Sequence, residues 1–237
     1  LELKSGKYIF EEIKEFLKKN NFLNENWNAL NILSQNASTV GSIDLKLYSK
    51  SNENNFIFFD KLENNKFKVL YLLGSDNLVV KKNNEFIIYQ GSHGDKGASI
   101  ADVILPNPAY TEQNGLYINL EGRVQECRKA SYPTGESEVD WKIFDKILKK
   151  LNLSTLNADE LSLRKEVLNM IPNFSEIDML PSKRIKNTNK EKSIFENEKI
   201  NINKIDYYYT NAISRASKTM AECRAVKKQQ LKYGTNN

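Results

Sequence analysis

Residues 67–73 read FKVLYLL, a nearly continuous apolar run that stops at Gly74-Ser75-Asp76. A short run without polar alternation, closed by a glycine turn, predicts a strand buried on both faces, and such a strand needs cover on both sides of its sheet. Residues 85–90 (EFIIYQ) predict a second strand. The gap before it holds a full crossover helix only if SDNLVVKKN forms a marginal one. Residues 91–99 predict a glycine-rich loop or short helical turn, and ADVILP predicts a third short strand ended by Pro106. Three such strands separated by glycine turns predict an α/β fold with a sheet that is at least partly parallel.

The surroundings of this sheet are legible as periodic segments. YIFEEIKEFLKK (8–19) places Ile9, Ile13, Phe16 and Leu17 on one helical face, and ENWNALNILSQNASTV repeats the pattern with Trp27, Leu30, Leu33 and Ala37. Beyond Pro108, Asn114-Gly115 between β-favourable segments predicts a tight hairpin. Two helices follow. WKIFDKILKKL has Ser137 ahead of Asp140 as its start signal; LSLRKEVLNMI has Asn157 with Glu160 and is ended by Pro172. Residues 181–204 are charged, asparagine-rich and aperiodic, which predicts a linker or extended arm. Order returns in IDYYYTNAISRASKTMAECRAVKKQQ, where Ser214 is the expected cap of a helix with Ala216, Met220 and Cys223 on one side. The expected organisation is a body at 1–180, a linker or arm at 181–205 and a tail with a helix at 206–237.

Composition narrows the function classes. The 35 basic residues are interleaved with 30 acidic ones along 237 residues, so a net charge of +5 forms no nucleic-acid footprint. Only six of the basic residues are arginine, and this lysine and asparagine bias reads as the mark of an AT-rich genome. No apolar run approaches the roughly 20 residues of a membrane-spanning helix. The opening LELKSGKYIF lacks the layout of a secretory signal. A start on Leu1 predicts a processed chain or one piece of something longer. Cys127 and Cys223 stand far apart; both read as buried thiols in a reducing compartment, and two cysteines cannot hold an iron-sulfur cluster or structural zinc alone.

Several residues invite chemistry, and each also has a structural reading. His93, Asp95 and Lys96 in GSHGDKG could form an acid–base set, yet no nucleophile elbow precedes them. Gly91, Gly94 and Gly97 follow GxxGxxG, which is neither the dinucleotide fingerprint nor the phosphate loop, so close packing or positive φ is the preferred explanation. Asp102, Glu112 and Glu121 lie near strand ends without a spacing that pairs them. Arg123 beside Glu121 could bind a phosphate or carboxylate by its fork, or hold the hairpin to the sheet. The residues therefore predict no catalytic, cofactor-binding or metal-binding set on this chain.

From Ala101, ADVILPNPAYTEQNGLYINLEGRVQ resembles the segment of the molybdopterin-oxidoreductase superfamily in which strand, proline, glutamate, asparagine and Glu-Gly-Arg recur in this order. YQGSHGDKGASIADVILP from Tyr89 resembles one branch, the large iron-sulfur subunit of respiratory complex I. WNALNILSQNASTVGSIDL, EVDWKIFDKI and YYYTNAISRASKTMAEC resemble further parts of that branch. The resemblance implies a partial molybdopterin-oxidoreductase-like domain, with a mostly parallel sheet flanked by helices, a β-hairpin appendage and a C-terminal tail helix. It implies a scaffold that has lost the molybdenum cofactor, with no cofactor on this chain and iron-sulfur clusters on a partner polypeptide. The implied partners are the N-terminal iron-sulfur part of the same subunit and other subunits of the peripheral arm. The implied location is the matrix side of the mitochondrial inner membrane, or the cytoplasmic face of a bacterial one. Two rival readings are the C-terminal part of a catalytic molybdopterin oxidoreductase such as a formate dehydrogenase, holding the pterin near Gly91 and Glu121, and a free-standing α/β protein that binds a nucleotide at its strand ends.

Overall fold

The computed structural model describes residues 5–24, 28–34, 36, 38–47, 61–64, 66–76, 78, 81–155, 159–180, 194–197, 199 and 206–232. Helix α1 (Gly6–Lys19) forms where the sequence predicts it, but Ile13 and Phe16 on its apolar face stay exposed while the Glu11–Lys14 ion pair is buried, Nζ to Oε2 3.0 Å. The second predicted helix is corrected. Residues 28–34 are not helical, Leu33 is exposed, and the helix α2 begins only at Thr39 and ends at Asp44. Local side-chain bonds explain the loss: Asn28 Oδ1 accepts from the Leu30 N–H at 2.9 Å, and Ser34 Oγ donates to the Asn36 carbonyl at 3.1 Å. Such bonds offer the backbone an alternative to the helix. Trp27 and Ala37 lie outside the described residues.

The three apolar runs become β1 (Val69–Leu73), β2 (Phe86–Gly91) and β3 (Val103–Pro106), all parallel and in the order β1-β2-β3. The register sets Leu70 beside Ile87 and Leu72 beside Tyr89 on one face, and Tyr71 beside Ile88 on the other. On the first face Leu62 completes the core, with Phe67, Leu78, Ala98, Ile100 and Ala101 packed around it. The described residues of SDNLVVKKN are not helical; the crossover from β2 to β3 instead carries a short helix, α3 (Lys96–Ile100). Both outer strands keep exposed apolar side chains, Val69 and Leu73 on β1 and Val103 and Ile104 on β3.

Asp102 fastens the last crossover. Its N–H donates to the Ile87 carbonyl at 2.8 Å, and its Oδ2 accepts from the Ile87 N–H at 2.8 Å while Oδ1 meets Lys82 Nζ at 2.5 Å. The Ile87 N–H, then Lys82, hold this carboxyl below the usual carboxylate range. A depressed folded value means the carboxylate stabilises the fold above its unfolded pKa and loses that contribution as pH falls through the folded one. Asp102→Asn is therefore expected to be less stable than the native chain at neutral pH, with the gap closing as pH falls below about 4 in urea unfolding at several pH values.

Beyond the sheet, β4 (Gly115–Ile118) and β5 (Val124–Cys127) form the antiparallel hairpin. Its turn is not Asn114-Gly115. The chain reverses at 119–123, where Asn119 Oδ1 accepts from the N–H groups of Glu121 and Arg123, both at 3.0 Å, and Gly122 takes φ +84°. Left-handed backbone of that kind favours glycine. Asn114 instead joins the hairpin base to the following helices, donating from Nδ2 to Glu160 Oε1 at 2.7 Å and accepting from the Lys129 N–H at 3.0 Å.

Helices α4 (Asp140–Lys150) and α5 (Glu160–Met170) follow as predicted, with different caps. Ser137 Oγ donates to the Thr134 carbonyl and does not cap α4, while Asp159 caps α5 by accepting from the Ser162 N–H at 2.7 Å. Asn157 lies outside the described residues. The hairpin residues Ile118 and Val124 build a second core with Phe174, against Val40, Val167, Leu168 and Ile171. In the tail, α6 (Ala212–Ala216) is capped by Asn211, with Ser214 as the reciprocal partner and not the cap itself; a break at Ser217 separates it from α7 (Lys218–Lys232). Most of the predicted linker lies outside the described residues.

Candidate functional site

In α/β sheets, ligands bind outside the carboxyl ends of the strands. Here that end consists of the turn after β1, Gly74-Ser75-Asp76, and the loop 91–97 after β2. The loop is wrapped around one side chain of its own. Tyr89 is 1% exposed, and its hydroxyl donates to the His93 carbonyl at 2.8 Å. A Cβ on Gly91 would collide with the Tyr89 hydroxyl, and one on Gly97 would lie 2.6 Å from the Ser75 carbonyl oxygen and 2.8 Å from the Tyr89 ring. Neither glycine has positive φ, so what they supply is space, and Tyr89 fills it. Gly94 faces open space. Burial, then the charges of Asp76 and Asp95, push the Tyr89 hydroxyl above its ordinary value and keep it a donor. Gly97→Ala is expected to cost about 1–3 kcal/mol through overpacking, read from the urea midpoint, because the Ser75 carbonyl is backbone and cannot swing away.

Two backbone donors of the loop are engaged within the chain. The Lys96 N–H donates to Asp95 Oδ1 at 2.8 Å and the Gly97 N–H to the Asp76 carbonyl at 3.2 Å. The two side-chain carboxylates converge on Arg215 of α6, which donates from Nη2 to Asp76 Oδ2 at 2.5 Å and from Nε to Asp95 Oδ2. Partial burial raises Asp95, but Arg215 and the Lys96 N–H outweigh it and hold the carboxyl below its ordinary range.

A polar chain crosses the opposite face of the sheet. Tyr71 Oη donates to Gln90 Oε1, Gln90 Nε2 donates to Asp140 Oδ1, and Asn107 Nδ2 reaches the same oxygen at 2.6 Å. Gln90 is 0% exposed. Asp140 opens α4, where a negative charge also favours the helix N-terminus. The Phe144 ring of α4 stands 5.7 Å from that of Tyr71. The network bonds β1, β2, the end of β3 and α4 together.

The predicted candidates do not assemble. His93 offers its ring to Ser92 Oγ at 3.0 Å while Asp95 is engaged by Arg215. Asp102 serves the β2–β3 crossover, Glu112 accepts from the Ala109 N–H at 3.0 Å, and Glu121 sits in the hairpin turn 3.9 Å from Arg123. Arg123 donates from Nη1 to the Asp178 carbonyl at 2.6 Å, so it anchors the hairpin to residues near 178 and not to the sheet. Cys127 is half-buried and Cys223 exposed, which corrects the expectation of two buried thiols. Among the described residues no group of His, Cys, Asp or Glu could hold a metal ion, and no helix is long and apolar enough to cross a membrane. The sequence reading missed Tyr89, Arg215, Asp76, Gln90 and Asp140; only the aromatic two residues before Gly91 carried a local signal.

Residues 1–150 match the family described as molybdopterin oxidoreductase, and the chain belongs to that family. Residues 172–223 match the family of C-terminal segments of the NADH-ubiquinone oxidoreductase G subunit. The chain is 36% identical over 233 residues to the NADH-ubiquinone oxidoreductase 75 kDa subunit of Reclinomonas americana, covering 96% of this chain and 33% of the relative. It is 38% identical over 238 residues to the mitochondrial 78 kDa subunit of Candida albicans, covering 94% and 31%. It is 37% identical over 231 residues to the NADH-quinone oxidoreductase G subunit of Rickettsia bellii, covering 97% and 32%. The chain thus spans about a third of the length of these relatives. Molybdopterin carries a phosphate; at this strand-end loop Tyr89 fills the space the glycines clear, the Lys96 and Gly97 N–H groups are engaged, and the carboxylates Asp76 and Asp95 stand at the mouth, paired with Arg215. These residues do not fit that group.

Proposed function

We propose that the chain is a non-catalytic, scaffolding part of the peripheral arm of respiratory complex I. In this reading it completes the large iron-sulfur subunit, whose cluster-binding segment lies on another polypeptide, and it supports electron flow from NADH to ubiquinone without holding a cofactor. The reading is carried by the closure of the glycine loop, where Tyr89 occupies the room the glycines clear and Arg215 engages both carboxylates at its mouth. The open sides of the sheet support a partner. An exposed strand edge with apolar side chains is a hazard unless covered, and beside β3 runs a groove of about 370 Å³ lined by the apolar Leu105, Pro106, Ile143, Ile147 and Leu151 together with the charged Glu136, Glu138, Lys146 and Lys150. Partners of this chemistry are the cluster-bearing part of the subunit and neighbouring peripheral-arm subunits, on the matrix side of the mitochondrial inner membrane. The test is native electrophoresis followed by a denaturing second dimension. The expected result is comigration with a separate cluster-bearing polypeptide. Migration free of any such partner would refute the reading, and a single larger polypeptide carrying both parts would refute the split.

A further inference from the structure

The tail is organised within itself and held to the body by charge. Asp206 Oδ2 accepts from Arg224 Nε at 2.5 Å, the Arg224 guanidinium lies 4.4 Å from the centre of the Tyr209 ring, and Asn211 with Ser214 caps α6. Its apolar side chains are at most half-buried, as at Tyr208, Tyr209 and Met220. None of residues 206–229 is buried, and Tyr207, Ile213 and Val226 are exposed. Arg215 is different: its side chain is 15% exposed, against 18% for Asp76 and 22% for Asp95, and its Nη1 also donates to the Tyr209 carbonyl at 3.4 Å. One guanidinium thus joins the tail's own backbone to the ends of two neighbouring parallel strands. Removing it would leave two like charges facing each other at partly buried positions, which is why the contact is coupled and not a pair of separate surface bridges.

We infer that residues 206–232 form a strap across the carboxyl end of β1 and β2, that Asp76 and Asp95 are a receptor for the guanidinium of Arg215, and that this contact fastens the strap. The inference goes beyond the scaffold reading, since it concerns how the chain secures its own tail. A planar fork with several fixed donors can serve two carboxylates at once; a lysine cannot do so with the same geometry.

The test is hydrogen exchange measured by mass spectrometry on the full chain in the assembly from which it is isolated. Arg215→Ala is expected to accelerate exchange about tenfold or more across 206–232 and 92–97 while β1, β2 and β3 keep their protection. Arg215→Lys recovers part of that protection. Asp76→Asn combined with Asp95→Asn reproduces the acceleration, and adding Arg215→Ala to the pair changes nothing further, because all three act through one contact. Should Arg215→Ala not accumulate, the single Asp95→Asn variant reads the same peptides with a smaller expected change. Exchange in the tail that stays within about twofold of the native chain in these variants, or effects that simply add, would overturn the strap. Failure of the scaffold reading is separate: it shows on the native gel, whatever the exchange pattern.

Discussion

Tyr89→Ala is expected to lower the free energy of unfolding by about 3–5 kcal/mol, the range for truncating a buried aromatic side chain to alanine in a core that cannot collapse around the loss. The site cannot collapse because Ile87, Leu70, Leu72 and Leu62 surround it from the sheet side, while Gly91 and Gly97 hold the loop around the ring. A domain of this kind is stable by about 5–15 kcal/mol in all, so the substitution removes a large share. Tyr89→Phe isolates the hydroxyl: it keeps the ring and strands the His93 carbonyl, at an expected cost of about 1 kcal/mol. Urea unfolding followed by circular dichroism measures both, and equal losses in the two variants would mean that the hydroxyl, not the packing, holds the loop.

Asp140→Ala is the second large effect. It takes the shared acceptor from Gln90 Nε2 and Asn107 Nδ2 together, leaving two shielded donors without a partner at about 1–3 kcal/mol each, so a total loss of about 2–6 kcal/mol is expected. Asp140→Asn keeps Oδ1 as an acceptor and is expected to cost no more than about half as much. The same unfolding experiment checks the pair, and an Asn variant as damaged as the Ala variant would assign the effect to charge at the start of α4 and not to the network.

The strands and their parallel pairing are legible because their apolar runs are short, continuous and closed by Gly74 and Pro106; burial on both faces is not met, since Val69 and Leu73 on β1 and Val103 and Ile104 on β3 stay exposed. What failed had local causes. The segment at 28–34 carries a helical apolar period, but Asn28 and Ser34 capture nearby backbone groups, and this competition is invisible to periodicity. Asn114-Gly115 carries the stronger turn signature, yet Asn119 with Gly122 forms the turn because one side chain there serves two N–H groups. The expectation for the glycine loop was close packing or positive φ, and close packing holds at Gly91 and Gly97. Which side chain fills the space could be suspected from Tyr89 two residues earlier. The engagement of Asp76 by Arg215 could not, since 139 residues separate them and no periodic signal joins one loop to the other.

Metal analysis of the purified assembly, referenced to the amount of this chain, decides whether this strand-end frame holds a pterin, which we propose it does not. The expected result is iron in the assembly and only trace molybdenum and tungsten. A stoichiometric amount of either metal per chain would contradict it.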